Sequence, residues 1–188
     1  VNVSEDRAFQ KTFNGYYRVR RNTDWQEIFY QLFEECKYRE NLTFAYILRY
    51  IYRETGRIEA SFSSKLPATI DHSMPIWDSI VLSNLGLKNP GRACEEKVEK
   101  TIKLYEKIRQ WYQEFSGTAE AKQCIEVFDD MFPELTYFTE IKKLDFMIWA
   151  TRDSEHEKEM RDLEISGTVT VPAEISVTQV QEEIESVA

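Results

Sequence analysis

The chain is short of the features that would make its function easy to read. Among 188 residues there are 3 cysteines and 2 histidines. Cys36, Cys94 and Cys124 are odd in number and far apart, with only His72 and His156 beside them and no C-x-x-C pair. That pattern excludes a disulfide framework, zinc-ligand spacing and an iron–sulfur loop, and it predicts no metal and no cofactor. A reducing, cytoplasmic setting is the corresponding expectation. No apolar run approaches the roughly 18 residues a membrane helix needs. The first residues, Val1-Asn2-Val3-Ser4-Glu5-Asp6, lack the basic-then-apolar order of a signal peptide. Positive charge is in deficit as well: 24 Lys and Arg against 33 Asp and Glu give a net charge of −9. This argues against a generic, charge-driven binder of nucleic acid or membranes. No internal repeat is present.

What the chain does have is apolar and aromatic matter, at 42% and 13% of residues. That is enough for a core and excludes global disorder. The periodicity is helical. Trp25, Ile28, Phe29, Leu32, Phe33 and Cys36 form one wide stripe after Thr23, whose spacing to Gln26 is that of a capping box. Asn41 is the expected cap of a second helix with Phe44, Ile47, Leu48 and Ile51 inward, stopped at Thr55-Gly56. A third helix, about 59–70, carries Ile58, Phe62, Leu66 and Ile70 at four-residue spacing, although Pro67 interrupts it. A fourth starts near Asp78, packs Val81, Leu82 and Leu85, and ends at Gly86. Long and short helices follow over about 93–115, 119–131 and 139–150.

No segment before residue 151 alternates as a strand should, Tyr16-Tyr17-Arg18-Val19-Arg20 being the nearest candidate. The predicted fold is therefore all-α, an orthogonal multi-helix bundle of about seven helices occupying residues 1–150. Residues 151–188 form an acidic linker and a Val/Thr/Glu-rich tail, in which Thr168–Val171 and Ile175–Thr178 alternate around Pro172. The tail is expected to be a small β-hairpin or an extended arm that docks on a protein partner or a second copy. It also holds most of the acidity, a net −7 against −2 for the body.

One stretch carries chemical content. Gly56-Arg57 lies between two helices, and Met74-Pro75-Ile76-Trp77-Asp78-Ser79-Ile80-Val81 ends a loop and opens the next helix, with Leu85-Gly86-Leu87 beyond. In this the sequence resembles the helix-hairpin-helix DNA glycosylase superfamily, where a glycine-containing hairpin grips a DNA phosphate and an aspartate opens a following helix. Lys143-Leu144-Asp145-Phe146-Met147-Ile148-Trp149 is similar to the closing helix of some bacterial relatives. The resemblance spans about 25–150 and implies binding to duplex DNA, with Asp78 as the catalytic carboxylate of a base-excising enzyme. It implies Gly56, Arg57 and Lys65 on the phosphate side, and Trp77, Tyr50 or Tyr52 as stacking rings for a base. Where bifunctional members carry a nucleophilic lysine, this sequence has Glu59 and Ala60. The implied activity is thus monofunctional hydrolysis rather than lyase chemistry.

Each of these residues also has a plainer reading. Asp78 is an ordinary helix N-cap, Gly56 a helix C-cap and Lys65 a solvated lysine. Arg18, Arg20 and Arg21 beside Tyr16 and Tyr17 either touch phosphates or form a solvated arm. Asp145, a carboxylate on an apolar helix, is expected to find a salt bridge or to cap a neighbouring helix. The alternative to a glycosylase-like DNA-binding protein is a non-enzymatic helical domain that works by protein–protein contact.

Overall fold

Asp6 opens a helix that periodicity had not marked: its carboxylate accepts the Phe9 N–H at 2.9 Å. The computed structural model describes residues 1–88, 90 and 94–148. It contains α1 (Arg7–Tyr16), α2 (Thr23–Cys36), α3 (Phe44–Thr55), α4 (Ala60–Ile70), α5 (Ser79–Asn84), α6 (Glu95–Ser116) and α7 (Ala119–Met131). An eighth helix, α8, covers 140–148. There is no strand among the described residues, so the fold is all-α. The expected hairpin or arm at 151–188 and Trp149 lie outside those residues.

Two of the expected caps move by one or two positions. Asn22 rather than Thr23 accepts the Trp25 N–H, at 3.3 Å, and Thr43 rather than Asn41 accepts the Tyr46 N–H, at 3.2 Å. Asn41 instead takes a left-handed φ of 54°, a conformation that asparagine tolerates better than most residues. The candidate strand at Tyr16–Arg20 does not form. Val19 N–H bonds Asn14 C=O at 2.9 Å and Arg18 N–H bonds Gly15 C=O at 3.2 Å. This is the paired closure of a Schellman motif, with Arg18 at the left-handed position where glycine is usual, φ 51°. Local turn geometry thus overrides the strand propensity of the aromatic run.

Three clusters make up the core. Phe13, Phe29, Tyr30, Phe33 and Ile51 join α1 to α2 and α3. Phe44, Trp77, Val81, Tyr105, Tyr112 and Leu144 bring together α3, the 71–78 loop, α5, α6 and α8. Phe128, Phe132, Leu135 and Phe146 seat α7 against α8. Each fully buried side chain of this size contributes about 1.5–3 kcal/mol, so the clusters hold the helices in register against one another. Pro67 stays inside α4, its ring buried, and Asp71 N–H returns to its carbonyl at 2.7 Å. Ile70, placed inward by spacing alone, emerges at the surface where α4 ends.

Candidate functional site

The segment before Asp78 is fastened through the backbone of three consecutive residues, each to a different helix. Pro75 C=O accepts the Tyr105 hydroxyl of α6 at 2.8 Å. Ile76 N–H donates to Asp145 Oδ2 of α8 at 3.2 Å, and Trp77 N–H donates to Ser64 Oγ of α4 at 2.8 Å. With those groups fixed, Asp78 emerges at the head of α5 in a defined place. The Asp78 carbonyl accepts the Leu82 N–H at 3.1 Å and so begins the helix.

That place is the wall of a cleft of about 220 Å³, shared by Asp78, Lys65, Arg18, Tyr112, Lys142 and Asp145. The rings of Tyr16, Tyr17 and Phe146 complete it on one side, and Ile76, Val81 and Ile148 supply apolar surface. The residues come from four separated stretches of chain: the end of α1, α4 with the following loop and α5, the C-terminal part of α6, and α8.

Three cations face two carboxyl groups here. Lys65 Nζ lies 5.0 Å from the Tyr17 ring centroid and 3.4 Å from the Tyr17 carbonyl. Lys142 is only 6% exposed; it lies 5.6 Å over the Phe146 ring and, among the described residues, has no carboxylate within salt-bridge distance. Burial lowers the His72 pKa, and the charge of Lys142 acts in the same direction. Asp145 Oδ1 accepts the Tyr112 hydroxyl at 2.5 Å. Burial pushes the Asp145 carboxyl up to about 7, and the nearby charge of Asp78 acts in the same direction. The Tyr112 hydroxyl, Lys142 and the Ile76 N–H all favour the carboxylate and only moderate that rise. Burial likewise drives the Tyr112 phenol well above its ordinary value, so it is a hydrogen-bond donor at neutral pH.

The residues singled out from sequence divide between this cleft and other places. Asp78 and Lys65 line it together. Trp77 does not: it is 3% exposed, its ring parallel to Phe44 with centroids 6.2 Å apart, so it packs beneath the site and offers no face to a base. Gly56 closes α3 with φ 66°, its N–H donating to Tyr52 C=O at 2.8 Å. The Arg57 N–H donates to Thr55 Oγ1 at 3.2 Å. Of the backbone amides at 56–58 that would face a phosphate, those of Gly56 and Arg57 are thus engaged inside the turn, and the exposed Arg57 side chain is what the turn presents to solvent. Tyr50 and Tyr52 are not part of the cleft wall. Arg21 is held elsewhere too, in a two-pronged pair with Glu59 at 2.9 and 2.8 Å.

Tyr112, Lys142 and Phe146 were not expected in a site with Asp78, Arg18 was expected as a phosphate contact or as part of a solvated arm, and Asp145 was expected only as a structural partner. The one local signal was Asp145 itself, a carboxylate on an apolar helix. Its partners prove to be a phenol and a backbone amide rather than a cation at contact distance.

Among the described residues no group of His, Cys, Asp and Glu is arranged to hold a metal, and no helix is long and apolar enough to cross a membrane. In comparisons with protein-family models, curated proteins and solved structures, none matches this chain.

Proposed function

We propose that the chain binds nucleic acid and admits one extruded base into the cleft, where it is removed by hydrolysis of the bond to its sugar. The observation that carries this reading is the meeting of Asp78 with three cations, Arg18, Lys65 and Lys142, on one partly apolar cleft. An engineered apolar cavity of about 150 Å³ takes up benzene, so about 220 Å³ gives room for a substituted ring. Tyr16, Tyr17 and Phe146 supply aromatic surface for it. Arg18, at the turn after α1, is the most exposed of the cations and suits the phosphates flanking an extruded nucleotide. Asp78 would stabilise positive charge developing at the anomeric carbon and orient the attacking water.

The α3–turn–α4 arrangement, followed by a loop and then Asp78, has the connectivity that a helix-hairpin-helix glycosylase would need. The test is incubation of the full chain with duplexes carrying different damaged bases, with Asp78→Asn as control. Release of a base by the wild type and its loss in the variant support the reading. No release from any duplex, or equal release by both, overturns it in favour of a helical domain that works by protein–protein contact.

A further inference from the structure

The cleft holds a second carboxyl group for which the reaction above has no role. Asp78 and Asp145 line the same space from different elements, the lead-in to α5 and the middle of α8. Their settings are unequal. Asp145 is gripped at both oxygens, by the Tyr112 hydroxyl at 2.5 Å and the Ile76 N–H at 3.2 Å. The titratable and charged groups around it are Tyr105 and Tyr112 from α6, Lys142 on its own helix, Asp78, Lys65 from α4, and Tyr16, Tyr17 and Arg18 at the end of α1. Burial prevails among them and keeps a proton on Asp145 up to about pH 7. Two carboxyl groups in one site with settings this different can divide acid and base work between them.

Resting on the base-excision reading, we propose that Asp145 is the general acid of this site, giving its proton to the leaving base while Asp78 faces the sugar. In that step the carbon–nitrogen bond between sugar and base breaks and its electron pair leaves with the base. The carboxyl proton of Asp145 moves to the base, which departs neutral. Water adds to the anomeric carbon and gives up a proton to Asp78. Asp78 then releases that proton to solvent, and Asp145 takes one back. The sum is base–sugar plus water giving free base and sugar hydroxyl, with no change of oxidation state. The Tyr112 hydroxyl, as a donor to Oδ1, sets the rotamer of Asp145 and tempers its proton affinity.

The experiment is single-turnover base release by the full chain between pH 5 and 9, on a duplex the wild type acts on. Wild type, Asp145→Asn, Tyr112→Phe and Asp78→Asn are compared. The wild-type rate is expected to fall as pH rises through about 7. Asp145→Asn should lower the rate at pH 6 by about 100-fold or more and flatten that fall. Tyr112→Phe removes a bond that favours the carboxylate, so the fall should move to higher pH. An Asp145→Asn protein with wild-type rate and profile, beside an inactive Asp78→Asn, overturns the acid role and leaves the excision reading standing. If Asp145→Asn does not fold, an unmoved profile in folded Tyr112→Phe overturns the role instead. Absence of base release by the wild type overturns the excision reading itself, and the acid role with it.

Discussion

The Trp77 N–H and the Ser64 hydroxyl form a buried hydrogen bond of 2.8 Å that ties the loop before α5 to the middle of α4. The residues next in sequence to this pair are Asp78 and Lys65, so one bond registers both against the cleft. Ser64 also donates to Ser61 C=O at 2.8 Å, which orients its lone pair toward the loop. Ser64→Ala would strand a buried amide, at a cost of about 1–3 kcal/mol. Urea unfolding should show a lower midpoint with an unchanged slope, and any activity of Asp78 should fall with it.

A neighbouring serine predicts the opposite sign. Ser63 is fully buried, and its hydroxyl has no hydrogen-bond partner among the described residues. Ser63→Ala removes that unsatisfied group at little loss of volume, so stability should be unchanged or rise by about 1 kcal/mol. Thermal melting of the two alanine variants side by side separates a connecting serine from a merely enclosed one.

Asp145 should make stability depend on pH in an unusual direction. Its pKa of about 7 in the fold lies above an ordinary value of about 3.9 in the unfolded chain. Below both values each state is protonated and the contribution is complete. Between them the unfolded chain has released its proton while the folded one retains it, so stability falls as pH rises and levels off above about 7. The span amounts to roughly 4 kcal/mol at most. Chemical denaturation from pH 4 to 8 should show this decline in the wild type relative to Asp145→Asn, which has no such group to titrate. Parallel curves for the two proteins would contradict it.

Arg18 separates the interests of fold and site. Its φ of 51° is strained for a residue with a side chain, yet it brings a cation to the cleft. Arg18→Gly should relieve the strain and raise stability by about 0.5–1 kcal/mol. The same variant should weaken duplex binding and lower the salt dependence of that binding by about one unit of slope. Loss of stability together with unchanged binding would mean that the arginine serves the fold alone.

Charge outside the helical body provides another test. Residues 151–188 carry net −7. Removing them should raise duplex affinity at low salt, because a like-charged competitor for the cations is gone. Equal affinities with and without the segment would count against that competition.

Helix content was legible wherever an apolar stripe ran for three turns: α7 spans Ala119–Met131, as its pattern and the following proline predict. The helix α1 was not, although Asp6, Phe9 and Phe13 carried a cap and a four-residue repeat, because Gln10 fills an inward position on the same face. Gln10 is buried there because its amide bonds the Val3 and Ser4 carbonyls at 2.9 and 3.0 Å. In the site, Asp78 and Lys65 could be picked out because they lie close in sequence around a recognisable loop. Asp145 meets that loop across 69 residues and Tyr112 across 33, and no local pattern encodes such pairings. Trp77 was misjudged for a related reason. A tryptophan next to a candidate aspartate reads as a stacking ring until Phe44, from another helix, is found to cover it.

The contribution of α1 to the cleft couples the site to the packing of the chain's first helix. Tyr16, which ends α1, and Tyr17 and Arg18 just after it line the wall while that helix lies against α2, through contacts such as Phe13 to Phe33 at 5.6 Å. Any molecule that touches those three residues is therefore linked to the docking of α1, and the linkage runs both ways. Occupancy would tighten that docking, and any undocked fraction would weaken occupancy in proportion. The first 22 residues are, in this sense, a cofactor the chain carries for itself.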